Sequence, residues 1–193
     1  TYRYRSVVLS IPVSAASTAL VDFYLGHHPD SEGRYLSDIW AWDNEDLECA
    51  HDYIQWLFPL AEPSAYNAKA PLLDGETIQA FKQTPQLQRH LITSYQTLLR
   101  FYGLQQQEHV SGPVVTSAED YPARAAEWVQ PLDHNHLRIT RILKCLTMLG
   151  CSADARAFYQ CLQQIYREHR EAISPVTFQY WTAAIALRDP SQP

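Results

Sequence analysis

Glycine is scarce in this chain, with six residues in 193. Runs of β-branched residues are equally short. Together these shortages argue against a β-sandwich, whose turns and pleated faces draw on both. A basic excess is missing too: 15 Lys and Arg stand against 21 Asp and Glu, for a net charge of −6 and a pI near 5.7. The bulk electrostatic footprint of a nucleic-acid-binding protein is therefore absent, and the net charge argues against such a partner. No apolar run reaches the roughly 18 residues that a membrane helix needs, so no transmembrane segment is expected. The four cysteines, Cys49, Cys145, Cys151 and Cys161, form no Cys-x-x-Cys pair. That excludes a zinc ribbon or a dithiol redox motif, and the spacing is not that of a secreted disulfide framework. Reduced, buried thiols in an intracellular setting are the expectation. Catalytic signatures are missing as well: there is no Gly-x-Ser-x-Gly, His-Glu-x-x-His, P-loop or Gly-rich nucleotide loop. No catalytic residue and no cofactor is assigned.

What remains is a globular composition. Hydrophobic residues make up 46% of the chain, and five Trp, twelve Tyr and six Phe supply a core for one domain. Residues 1–13 carry Tyr2, Tyr4, Val7, Val8 and Ile11 without a clean period and read as an extended arm. Arginines before VVLSIPV give this arm a faint signal-peptide pattern, which Ser10 and Pro12 interrupt. Residues 14–188 read as the domain and 189–193 as a tail.

Helices are predicted over 14–25, from Asp43 or Asn44 to Phe58, and over 74–82. Further helices are predicted over 85–102, 122–129, 134–149, 152–170 and 175–187. Leu47, Ala50, Ile54, Leu57 and Phe58 form the apolar stripe of the second helix, which Pro59 stops. Thr84-Pro85 and Ser174-Pro175 are cap-plus-proline starts, and Gly26, Gly103 and Gly150 suit helix ends. Residues 105–117 are polar and contain Pro and Gly, so a mobile loop is expected there. There is no internal repeat. The fold class expected is all-α, a single irregular bundle of about seven helices.

Three segments carry a family likeness. They are IWAWDNEDLECAHDYIQWLFPLAEPSAYNAKAPLL from Ile39 to Leu73, SYQTLLRFYGL from Ser94 to Leu104, and HNHLRITRILKCLTMLG from His134 to Gly150. In order and spacing they resemble the opioid growth factor receptor conserved region, over roughly residues 20–185. YIQWLFP and LRITRILK are long and chemically unusual enough that chance agreement of both is improbable. The resemblance implies a receptor-like domain that binds a peptide, opioid growth factor by the family's name. Vertebrate members carry the region at the N-terminus of a longer chain with basic, repeat-rich tails. This chain carries no such tail, so a stand-alone version, bacterial in one reading, or an excised one is expected. Localisation would be cytoplasmic for a bacterial member and cytoplasmic or nuclear under the vertebrate pattern.

Two constellations are candidates for a site. Trp40, Trp42, Tyr53, Trp56 and Phe58 crowd into nineteen positions. One reading is an aromatic-walled pocket containing Tyr53 and Trp56, with His51, Gln55 and Asn67 as polar anchors. The other is a core in which these rings find local partners. Arg138 and Arg141 lie three apart on the 134–149 helix, with Lys144 continuing the row and His134 a turn earlier. They either pair with Asp43, Asp46, Glu48 or Asp52 of the acidic second helix, or form an anion site. His27, His28 and Asp30, or His134 and His136, lack the i, i+4 spacing of a helical metal pair, so no metal site is expected. Cys49 and His51 are two apart on a predicted helix and diverge.

The reading is a non-enzymatic domain that binds a peptide, a small molecule or a protein partner. Its pocket would lie between the His51–Phe58 and Arg138–Lys144 segments, using His51, Tyr53, Gln55, Trp56, Asn67, Arg138 and Arg141. The alternatives are an enzyme with His51, Asp52, Arg138 and Arg141 in a cleft, or a protein or nucleic-acid adaptor. The adaptor would use a basic face of Arg34, Arg138, Arg141 and Lys144.

Overall fold

The structure, a computed structural model, describes residues 15–187. The arm at 1–13 and the tail at 189–193 lie outside the described residues. The first two helices are α1 (Ala15–Tyr24) and α2 (Leu36–Trp40), followed by the short α3 (Asn44–Cys49) and α4 (Ile54–Leu57). Next come α5 (Gly75–Gln83) and the long α6 (Pro85–Phe101), then strands β1 (Leu104–His109) and β2 (Gly112–Ser117). The chain continues through α7 (Tyr121–Trp128), α8 (Asn135–Met148), α9 (Ser152–Glu168) and α10 (Pro175–Ile185).

The expected all-α bundle of about seven helices is thus incorrect. Among the described residues there are ten helices and a two-stranded antiparallel sheet. The segment read as a mobile loop is this hairpin, paired from Leu104↔Ser117 to His109↔Gly112 across Val110-Ser111. Its sequence, LQQQEH and GPVVTS, gives no apolar alternation because only Leu104 and Val115 are buried. Backbone pairing, packing of β2 on α9, and Gln106 Nε2 donating to Asp154 Oδ1 at 2.8 Å hold it in place.

A second correction concerns the second helix, which is broken into α3 and α4. Asp43 caps α3, its Oδ1 accepting from Asp46 N at 2.9 Å. At the other end Ala50 takes an extended conformation (ψ 135°). The carbonyls that a continuing helix would satisfy internally turn instead to a side chain from α8. Arg138 Nη1 donates to Leu47 O at 2.9 Å, and Nη2 to Glu48 O at 3.3 Å and Ala50 O at 2.7 Å. Orphan carbonyls at a helix end need such a partner, and a guanidinium supplies several donors at once. The apolar stripe that predicted one helix survives because Leu47, Ile54, Leu57 and Phe58 all face the core.

Buried aromatics tie the layers together. Tyr24 of α1 donates to Leu57 O, and His90 of α6 bonds Tyr24 O. Trp40 Nε1 donates to Ser94 Oγ at 3.0 Å, fastening α2 to α6. On the other side α8, α9 and α10 pack together, and Trp181 Nε1 donates to His136 O at 3.1 Å. The segment after α4 leaves and returns at one point: Leu60 and Leu72 form a parallel bridge, with Leu73 N donating to Leu60 O at 3.0 Å. The chain between them, 61–71, is a loop with a closed base, and it brings the next structure to the side of α8.

Candidate functional site

The structure holds a pocket of about 330 Å³ between α8, the α3–α4 turn and the 61–71 loop. Leu137, Arg138, Thr140, Arg141 and Lys144 form its floor. They share a face because spacings of three and four residues bring side chains together on a helix. His51, Ile54, Gln55 and Leu60, with Glu62, Pro63, Ser64, Ala65 and Tyr66 of the loop, make its walls. His134 closes the end, its ring 5.3 Å from that of His51.

Four of the seven sequence-predicted residues therefore meet here: His51, Gln55, Arg138 and Arg141. Tyr53 and Trp56 do not line the pocket; they are core. Tyr53 is fully buried, donates to Leu47 O at 3.0 Å and packs edge-on against Trp42 at 5.3 Å. Burial pushes its phenol up to about 12, against the opposing Arg138 charge. Trp56 sits against Phe23, ring centroids 5.2 Å apart. Asn67 lies outside the pocket and pins the loop: Nδ2 donates to Asp52 O at 3.2 Å, and Oδ1 accepts from Lys69 N at 3.0 Å. Because α4 is a single turn, only its Ile54 and Gln55 reach the pocket.

The two arginines differ. Arg138 is 5% exposed, and besides the three carbonyls it donates to Asn135 Oδ1 at 3.2 Å, with Glu48 Oε2 at 3.9 Å. The expected bridge to the acidic helix is thus made by Arg138, chiefly through backbone oxygens. Its ring-facing side covers Tyr53 at 5.6 Å. Arg141 is half-buried, and its Nη1 donates to Phe58 O at 3.0 Å. Burial depresses its guanidinium, with Cys145 and Glu62 acting the other way. Lys144 Nζ donates to Glu62 Oε1 at 2.6 Å, across the mouth of the pocket. Burial would raise the Glu62 carboxyl, but the Lys144 hydrogen bond, its own backbone amide and the Lys144 and Arg141 charges hold it below the usual value.

Gln55 is 3% exposed; its Nε2 reaches Ser64 Oγ at 3.5 Å, while Oε1 has no partner. The expected row of basic residues is not an open face. Arg34 is held by Asp30 at 2.7 Å and Asp52 at 2.8 Å, Arg138 is buried, and Lys144 is paired. Leu137, Thr140 and Lys144 could have been read from the helical face that carries Arg141. The Glu62–Tyr66 wall has no local sequence signal, since the Leu60–Leu72 bridge creates it.

Among the described residues no group of His, Cys, Asp and Glu could hold a metal ion, and no helix is long and apolar enough to cross a membrane. No solved structure matches the chain. The Opioid growth factor receptor (OGFr) conserved region matches residues 16–190. The human opioid growth factor receptor is 41% identical over 122 residues, which is 61% of this chain and 17% of that protein. Mouse opioid growth factor receptor-like protein 1 is 38% identical over 128 residues, 62% of this chain and 25% of that protein. A Xenopus tropicalis protein of the same name is 36% identical over 132 residues, 66% of this chain and 25% of its own length. The aligned stretch thus spans a quarter or less of each of these relatives. The match covers nearly all of the fold described above, and the chain belongs to the opioid growth factor receptor conserved-region family.

Proposed function

We propose that this domain is a non-enzymatic binding module whose ligand, a short peptide or a small molecule, occupies the pocket between α4, the 61–71 loop and α8. The carrying observation is the pocket's make-up. Ile54, Leu60, Pro63, Ala65 and Leu137 give an apolar body, and a few polar groups converge on it. Recognition sites for small ligands have this composition, and 330 Å³ lies at the low end of their usual range of about 300–1,000 Å³. The pocket therefore suits one or two residues of a peptide. The relatives' name makes opioid growth factor the first peptide to try.

A binding role is favoured over catalysis by how the polar groups are used. Thr140 Oγ1 donates to His136 O at 3.0 Å, so its proton is committed to a backbone oxygen and not to a base. Asp52, grouped with His51 in the enzyme alternative, is engaged by Arg34 and does not line the pocket. A nucleic-acid adaptor is disfavoured because its basic residues are buried or paired.

The test is calorimetric titration of the protein with opioid growth factor and with N-acetylated aromatic amino acids. It is repeated on Thr140→Tyr, which fills the floor of the pocket. Binding by the parent and a loss of at least tenfold in the folded variant is the expected result. Equal binding by both proteins would rule the pocket out as the site.

A further inference from the structure

The pocket holds one buried unmet acceptor, on Gln55, and one guanidinium, on Arg141, whose remaining donors reach solvent. Gln55 Oε1 is a buried acceptor without a donor. Such a group costs stability unless something donates to it. Arg141 uses Nη1 on Phe58 O, and among the described residues its Nε and Nη2 have no protein acceptor. Arg138 cannot answer for it, since both its terminal nitrogens are engaged by the α3 carbonyls. A ligand that satisfies Gln55 and Arg141 together must present an N–H and an anionic oxygen pair on an apolar body.

One contact already within the chain has the second half of that chemistry. The Glu62 carboxylate sits on Lys144 at the pocket's edge, 51% exposed, on a loop fixed at its base and not at this residue. It stands where a ligand carboxylate would gain the same ammonium and the neighbouring guanidinium.

We propose that the pocket recognises an α-acylamino carboxylate, the chemistry of a peptide's C-terminal residue or of a free N-acylated amino acid. The carboxylate binds Arg141 and Lys144, the amide N–H donates to Gln55 Oε1, and Glu62 is the internal mimic that the ligand displaces. Bidentate guanidinium–carboxylate pairing gives the orientation. Ile54, Leu60 and Leu137 receive an apolar side chain. This rests on the pocket being the binding site, and it adds the chemical class of the ligand.

The test is titration of the intact chain with N-acetyl-phenylalanine and with its C-terminal amide, followed by the amide shifts of the labelled protein. The tripeptide Gly-Gly-Phe, with a free and with an amidated terminus, distinguishes a peptide end from a free acylated amino acid. The acid is expected to bind at least tenfold tighter than the amide, about 1.4 kcal/mol. Lys144→Gln, at a partly exposed position, should shrink that ratio several-fold. Glu62→Gln should tighten the acid several-fold more than the amide. Acid and amide binding alike within the pocket would overturn the carboxylate assignment and leave the pocket reading standing. No binding of either compound, or acid affinity unmoved by both variants, would overturn it as well. The Thr140→Tyr titration then decides the pocket by itself.

Discussion

Arg138 shows how one side chain can set the course of the backbone around a site. Its guanidinium ends α3, lies over Tyr53 and turns the chain so that Gln55 reaches the pocket. Removing it strips Glu48 O and Ala50 O at the end of α3 of their side-chain donor and leaves Leu47 O with Tyr53 alone, so Arg138→Ala should lower stability by about 3 kcal/mol or more. Arg138→Lys should recover little, since an ammonium cannot match the planar fork. Arg141→Ala gives up one carbonyl contact and should cost only about 1 kcal/mol. Chemical denaturation of the three variants measures this order; a larger loss at Arg141 than at Arg138 would contradict it.

His136 adds a pH dependence at the same scale. Burial is the chief cause that holds it below its ordinary value of 6.5, with Asp133 and the Trp128 carbonyl pulling the other way and His134 adding to the depression. The unfolded chain therefore takes up a proton near 6.5 while the native state resists it, so stability falls as pH drops through that value. The melting temperature should decline from about pH 7.5 to 5.5, and less steeply in His136→Gln. Parallel slopes for the two proteins would exclude His136 as a source.

At the scale of elements, legibility followed the strength of local signals. The bounds of α5, α6, α8, α9 and α10 lie within two residues of those predicted, although the N-cap side chain makes a capping hydrogen bond only in α5 and α10 among these five. The α3–α4 break was not legible, because its cause is an arginine 88 positions away from Ala50. The hairpin was not legible because its strands bury one side chain each. The pocket was half legible. The α8 face carries its own signal, whereas the 61–71 wall depends on a bridge between Leu60 and Leu72. Tyr53 and Trp56 were open to two readings for a related reason: aromatics suit a core and a ligand wall equally, and only the break in the helix decides which way they point.

The entry into the hairpin gives an element-scale prediction. Gly103 has φ +72°, and a Cβ there would lie 2.8 Å from both Arg124 Cβ and Tyr121 Cα. Gly103→Ala must therefore strain the backbone and push α7 away, at a cost of about 1–3 kcal/mol. Hydrogen exchange should show the loss first in β1, β2 and α7. Exchange unchanged in these elements would contradict the packing.

For the whole molecule, the fold is a helical domain that carries one hairpin, and among the described residues Arg34, Arg138 and Lys144 are engaged in ion pairs. Its thiols report on its integrity. Cys49 is exposed, whereas burial raises Cys145 well above the ordinary thiol value, Cys151 to about 12 and Cys161 to about 11. A thiol reagent at neutral pH should label Cys49 alone until the protein unfolds. Rapid labelling of Cys145 in the native state would contradict the core assignment.

A ligand bound between α4, the 61–71 loop and α8 is the reading proposed for this domain. The most direct measurement is the amide shift map of the labelled domain during titration with the acylated amino acids and peptides. If the pocket is the binding site, the shifts concentrate at 51–66 and 134–144 and vanish in Thr140→Tyr. Shifts centred on α9 and α10, or shifts that persist in that variant, would contradict it.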